Sequence, residues 1–175
     1  MILVEKAKLI SRVAHLRQMR TQGEPYFAHP SRMANAAITL DYPDKVVAAC
    51  YLHDVIEDCE VTADELLFLL GDAPLSVPTV ELVLEVTNVA KPTDGNRATR
   101  MAINRDHLVK SSMWGATIKC LDITDNLSSD FYDPQWARKY FSEKELELLV
   151  VKHADPVAWD MAFSALQSGP IVVSM

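Results

Sequence analysis

Apolar residues recur along this chain at three- and four-residue intervals, and the periodic runs are too long for strands. Ala7, Ile10, Val13, Ala14 and Leu16 mark one face of a helix over residues 5–19. Gly23 and two prolines break the pattern in "RTQGEPYFAHP", which reads as a loop. Ser31 is placed to cap a helix reaching about Leu40, and "DYPD" is a turn. Asp44 then caps a strongly apolar helix continuing to about Asp58. Thr62 and Glu65 have the capping-box spacing, and Gly71 ends the helix they open. Further helices are predicted from Val77 or Pro78 to about Asn88, over 97–109, from Trp114 to about Leu127, from Trp136 to about His153, and over 156–166. The short run Ile118–Leu121 suits a strand as well as a helix, but its surroundings are helical.

The expected fold is therefore all-α: one helical domain over residues 1–168 with about eight or nine helices. A tail follows over 169–175, either a short extended piece or disordered. A length of 175 residues suits a single hydrophobic core. The first ten residues carry Glu5, Lys6 and Lys8, unlike a signal peptide, and no apolar run is long enough for a membrane span. Cys50, Cys59 and Cys120 are scattered and odd in number, so reduced thiols and a cytoplasmic location are expected. The net charge of −7, without a long basic stripe, argues against binding of long nucleic acid. Basic clusters over 12–20 and 97–105 would suit a small polyanion.

The charged residues worth explaining sit where apolar ones dominate. In "VVAACYLHDVIEDCE", His53, Asp54, Glu57 and Asp58 fall within six positions at the end of the most apolar helix in the first third of the chain. On a continuous helix His53 lies over Glu57 and Asp54 over Asp58. A cation would reconcile these acids with one another; solvation at a helix end would also account for Glu57 and Asp58. His29, before Pro30, suits either a ligand or a structural role. Asp122, in "TIKCLDITDNL", lies in an apolar flank and needs a partner there, either a cation or a buried salt bridge to an arginine. Taken together, His29, His53, Asp54 and Asp122 offer two imidazoles and two carboxylates. That set suits Mn, Fe or Zn and leaves positions on the ion for water.

Three segments carry a family resemblance. "HLRQMRTQGEPYFAHPSRMA" has Q-x-R, G-E-P-Y and H-P; "AACYLHDVIED" has H-D-x-x-E-D; "IKCLDITDNLSS" has K-x-x-D-x-x-x-N-L. In order and spacing they resemble the HD-domain metal phosphohydrolases, and among these the hydrolase domains of RelA/SpoT-type alarmone enzymes and their stand-alone relatives. The resemblance implies an HD-fold helical bundle that binds one Mn²⁺ through His29, His53, Asp54 and Asp122. It implies Glu57 and Asp58 as the pair that orients water and handles protons. Arg20 would stack on a guanine base, and Asn126 would lie near the ribose or its 3′ phosphates. The implied reaction removes pyrophosphate from the 3′ side of (p)ppGpp, giving GDP or GTP. The partner is then a small nucleotide, with no membrane involved. Ile123 stands where the family has a basic residue, which keeps open an HD phosphohydrolase acting on a nucleoside monophosphate or NADPH. Arg97, Arg100 and Lys110 are candidates for phosphate contacts or plain solvated residues. The faces of the long helices are candidates for homo-oligomer contacts, although Trp136, Tyr140 and Phe141 read more readily as core.

Overall fold

The computed structural model describes residues 3–173. Among them are ten helical segments and a two-stranded sheet, and none of the helices is long and apolar enough to cross a membrane. The chain divides into two compact units at Thr87 and Asn88.

The first unit is built round α3 (Asp44–Leu52), in which every residue from Val46 to Leu52 is buried. A helix apolar on all sides has to be surrounded. α1 (Leu3–Ala14), α2 (Ala28–Thr39) and α6 (Ser76–Val86) pack against it, and α5 (Ala63–Leu70) packs on α1 and α6. Thr62 and Glu65 form the expected capping box, and Gly71 ends α5 with φ of 72°.

Four boundaries in this unit differ from the periodicity. The Asp44 helix stops at Leu52; His53 and Asp54 form a turn, and α4 (Val55–Asp58) is a separate single turn. Within that turn His53 uses its ring Nδ1 on the Cys50 carbonyl at 3.0 Å. Asp44 is the first helical residue and not the cap, because Pro43 before it is extended. α2 opens at Ala28, so His29 and Pro30 belong to its first turn and not to a loop. A proline there sacrifices no hydrogen bond, since first-turn N–H groups lack helical partners. Finally, α1 ends at Ala14, and residues beyond it turn back: Arg20 N–H donates to Glu24 O at 2.9 Å and Tyr26 N–H to Gln18 O at 2.9 Å.

The second unit is built on α8 (Met113–Leu127), buried over 115–118 and 120–123. α9 (Pro134–Val150) and α10 (Pro156–Ser168) pack on it, and α7 (Arg97–Leu108) packs on α9. α9 starts earlier than its apolar period suggests because Asp133 caps it, accepting from the N–H groups of Gln135 and Trp136. Residues 171–172, expected in the tail, form β2 (Ile171–Val172), which pairs in parallel with β1 (Asp130–Phe131). Of the three aromatics on α9, Phe141 is buried and packs edge-on to Phe131, whereas Trp136 is exposed beneath the Arg97 guanidinium.

A charge network is buried between α8 and α9. Lys144 donates to Glu147 at 2.8 Å; Lys119 lies 3.7 Å from Glu147 and 2.9 Å from Asp122. Burial pushes the Glu147 carboxyl up, but Lys119 and Lys144 outweigh it and hold the group below the ordinary glutamate range. Such a group stabilises the fold above its unfolded pKa of about 4.3, and that contribution is lost as pH falls through the lower folded value. Glu147→Gln is expected to cost about 3–5 kcal/mol at pH 7, because it strands buried ammonium charge. Urea unfolding as a function of pH checks this: the gap from wild type narrows in acid. Thr62→Ala is expected to cost about 1 kcal/mol in the same assay.

Candidate metal centre

The first unit brings His29, His53 and Asp54 together. The two Nε2 atoms are 3.2 Å apart, and Asp54 Oδ2 lies 2.9 Å from His53 Nε2 and 3.7 Å from His29 Nε2. His29 is positioned by the first turn of α2, and His53 and Asp54 by the turn between α3 and α4. Both imidazoles are buried, at 1% and 5% exposure. His53 Nδ1–H donates to the Cys50 carbonyl, which leaves the lone pair on Nε2, aimed at the cluster. With His53 Nε2 as acceptor, His29 Nε2–H is the donor of the 3.2 Å contact, and a metal ion in place of that proton would draw on the same lone pairs. Among the described residues these three form the group whose ligand atoms all lie within 4.8 Å of one another. Two imidazoles and one carboxylate fit a divalent transition metal and leave further positions on it.

Glu57 and Asp58 follow on α4, both exposed. Tyr26 OH donates to Asp54 Oδ2 at 2.7 Å and also faces the Asp58 carboxylate. Burial, then the neighbouring Asp54 charge, raises the Tyr26 hydroxyl, so it stays a donor. Partial desolvation, then Asp54, raises the Asp58 carboxyl from its ordinary value. Beneath Tyr26 lies His15, 1% exposed, with ring centroids 4.7 Å apart. Sequence reading did not single out His15 or assign a role to Tyr26. The signal available was Tyr26 in G-E-P-Y and a histidine inside an otherwise amphipathic helix end.

Arg20 is mostly buried in the turn closed by Gly23, with its Nε 3.8 Å from Glu24, which also pairs with Arg32 through two hydrogen bonds of 2.8 and 2.9 Å. Asp122 and Asn126 belong to the second unit. Asp122 is 5% exposed; Lys119 donates to its Oδ2 at 2.9 Å and Asn126 Nδ2 to its Oδ1. Lys119 of its own helix is thus a salt-bridge partner of Asp122. Ile123 is fully buried, so a basic residue there would point into the core of that unit. Arg97 forms a two-bond pair with Glu143, and Arg100 donates to Gly95 O. Both are engaged within the second unit.

Comparison with known proteins agrees with the fold. The chain is 30% identical over 155 residues to the probable guanosine-3′,5′-bis(diphosphate) 3′-pyrophosphohydrolase of Mycoplasma pneumoniae, covering 83% of this chain and 20% of that protein. It is 30% identical over 122 residues to the guanosine-3′,5′-bis(diphosphate) 3′-pyrophosphohydrolase of Vibrio cholerae, covering 70% and 17%. The chain therefore spans about a fifth of the length of these curated relatives. The solved structure of a metazoan SpoT ortholog, described as hydrolysing ppGpp, superposes with a TM-score of 0.80 over 96% of both chains at 20% identity, which establishes a common fold. The HD domain pattern matches residues 7–113, more than half of the sequence and the stretch that contains His29, His53 and Asp54, and on that match the chain belongs to the HD-domain family.

Proposed function

We propose that this chain is a metal-dependent phosphohydrolase that removes the 3′-pyrophosphate of (p)ppGpp, giving GDP or GTP. The observation that carries the reading is the convergence of His29, His53 and Asp54 on one point, with Glu57 and Asp58 on the adjoining turn. The names of the relatives in Mycoplasma pneumoniae and Vibrio cholerae support the choice of nucleotide. His29, His53 and Asp54 would hold a divalent transition metal, with Mn²⁺ the preferred ion. Asp122 is assigned as a fourth ligand on the K-x-x-D-x-x-x-N-L motif alone. When bound, such an ion neutralises phosphoryl oxygen charge and makes water a better nucleophile at neutral pH.

The protein's own groups supply the remainder. His53 is fixed by the Cys50 carbonyl and Asp54 by the Tyr26 hydroxyl, so the ligands are held in place beforehand. Asp58 accepts a proton from water while Glu57 orients it; a carboxyl raised by its surroundings is the better base near neutrality. Arg20 offers a planar cation for the guanine face, and Asn126 is assigned to the ribose or its 3′ phosphates on the motif alone. On a chain of net charge −7, a polyanionic substrate needs such local cations. We also read the protein as cytoplasmic, since Cys50, Cys59 and Cys120 are all free thiols. An isoleucine at 123, where the family has a basic residue, supports a second reading, an HD phosphohydrolase on another nucleotide such as a nucleoside monophosphate or NADPH.

Purified protein with Mn²⁺ is expected to release pyrophosphate from ppGpp, and a panel with nucleoside monophosphates and NADPH separates the readings. Turnover of one of those with none of ppGpp overturns the first. Asp54→Ala is expected to lose both metal and turnover, measured by metal analysis and pyrophosphate release. Asp58→Asn is expected to keep the metal while kcat falls by about 10²–10⁴; an unchanged rate would remove Asp58 from its role.

A further inference from the structure

α4 is a helix of one turn, Val55–Asp58, with no side-chain cap at its start. A single turn cannot maintain itself, since helix nucleation is unfavourable. Its last carbonyls have no helical partner and need one from elsewhere. The Asp58 carbonyl finds it in Gln18, whose Nε2–H donates at 3.0 Å from a segment forty positions earlier. Gln18 Oε1 in turn accepts from His15 Nδ1 at 2.7 Å, and this sets the His15 tautomer, because an amide oxygen only accepts. The Cys59 thiol closes the corner, 3.4 Å from His15 Nδ1 and 3.7 Å from Gln18 Nε2. His15 stacks on Tyr26, and Tyr26 reaches Asp54. Contacts thus run in a closed frame from the Asp58 backbone through Gln18, His15 and Tyr26 to the Asp54 carboxylate.

Resting on the phosphohydrolase reading above, we propose that His15 and Gln18 are positioning residues: they hold the Asp58 end of α4 at a fixed distance from Asp54, so that the proton-handling carboxylate stays in register with the ligand cluster. His15 acts through Gln18 on the backbone and through Tyr26 on Asp54. The Q of Q-x-R thereby gains a task separate from that of Arg20.

The test uses Gln18→Leu, His15→Phe and the double variant, each with Mn²⁺ and ppGpp. Phenylalanine keeps the stack on Tyr26 but removes the donor to Gln18. Expected is a fall in kcat of about 10- to 100-fold, the scale of a small misplacement of a reacting group, with KM and Mn²⁺ affinity within about twofold of wild type. The double variant is expected to be no slower than the worse single one, because both cut the same chain of contacts. In metal-free protein, amide hydrogen exchange at residues 58–60 is expected to accelerate in Gln18→Leu while that of α3 stays unchanged. Unaltered kcat, or additive losses that track a fall in Tm, overturn the inference and leave a purely structural role. Should buried His15→Phe not fold, the half-buried Gln18→Leu decides the matter by itself, through the same kcat and exchange measurements. A wild-type protein that does not turn over ppGpp overturns the phosphohydrolase reading itself; wild-type turnover with unchanged variants overturns only the role of His15 and Gln18.

Discussion

Two imidazole nitrogens and a carboxylate oxygen held within a few ångströms are the constraint that organises the first unit. Polar groups taken out of water need partners, and these three find them in one another, in Tyr26 and in the Cys50 carbonyl. The cost is met by packing. α3 is apolar all round and enclosed by three helices, so the turn that follows it has little freedom. α2 is docked on α3, which brings its first turn, and His29 with it, against His53. Hydrogen bonds from Tyr26 and to Cys50 then select one orientation for Asp54 and for His53.

Much of this was legible in the sequence, for a definite reason. Charged residues inside apolar runs stand out because they cannot be buried without partners, and His53, Asp54 and Asp122 all announce themselves in this way. Thr62, Glu65 and Gly71 were equally readable, since caps are local chemistry. What escaped was non-local. The apolar period runs through His53 without interruption, so nothing in the composition marks the break; it arises from ring-to-carbonyl bonding within the turn. The β1–β2 pair is only two residues per strand, too short for any alternation to register. His15 reads as one more polar residue near a helix end, and only the return of the chain through Gly23 brings Tyr26 on top of it.

The second unit handles charge differently. Lys119, Asp122, Lys144 and Glu147 compensate one another within two helices. A buried set like this adds little net stability over an apolar one, but it ties side-chain orientations to one another. Asp122, the residue assigned by motif as a ligand, is thereby fixed by Lys119 on one oxygen and Asn126 on the other.

The break after Leu52 divides His53 from Glu57 and Asp58, between elements of unequal robustness. His53 follows directly on the best-buried helix of its unit, whereas Glu57 and Asp58 sit on a solvent-facing turn. Local opening begins where buried contacts are fewest. Gentle heating should therefore unravel the Glu57–Asp58 turn first, while the turn that carries His53 and Asp54 still stands on α3 well below the melting point.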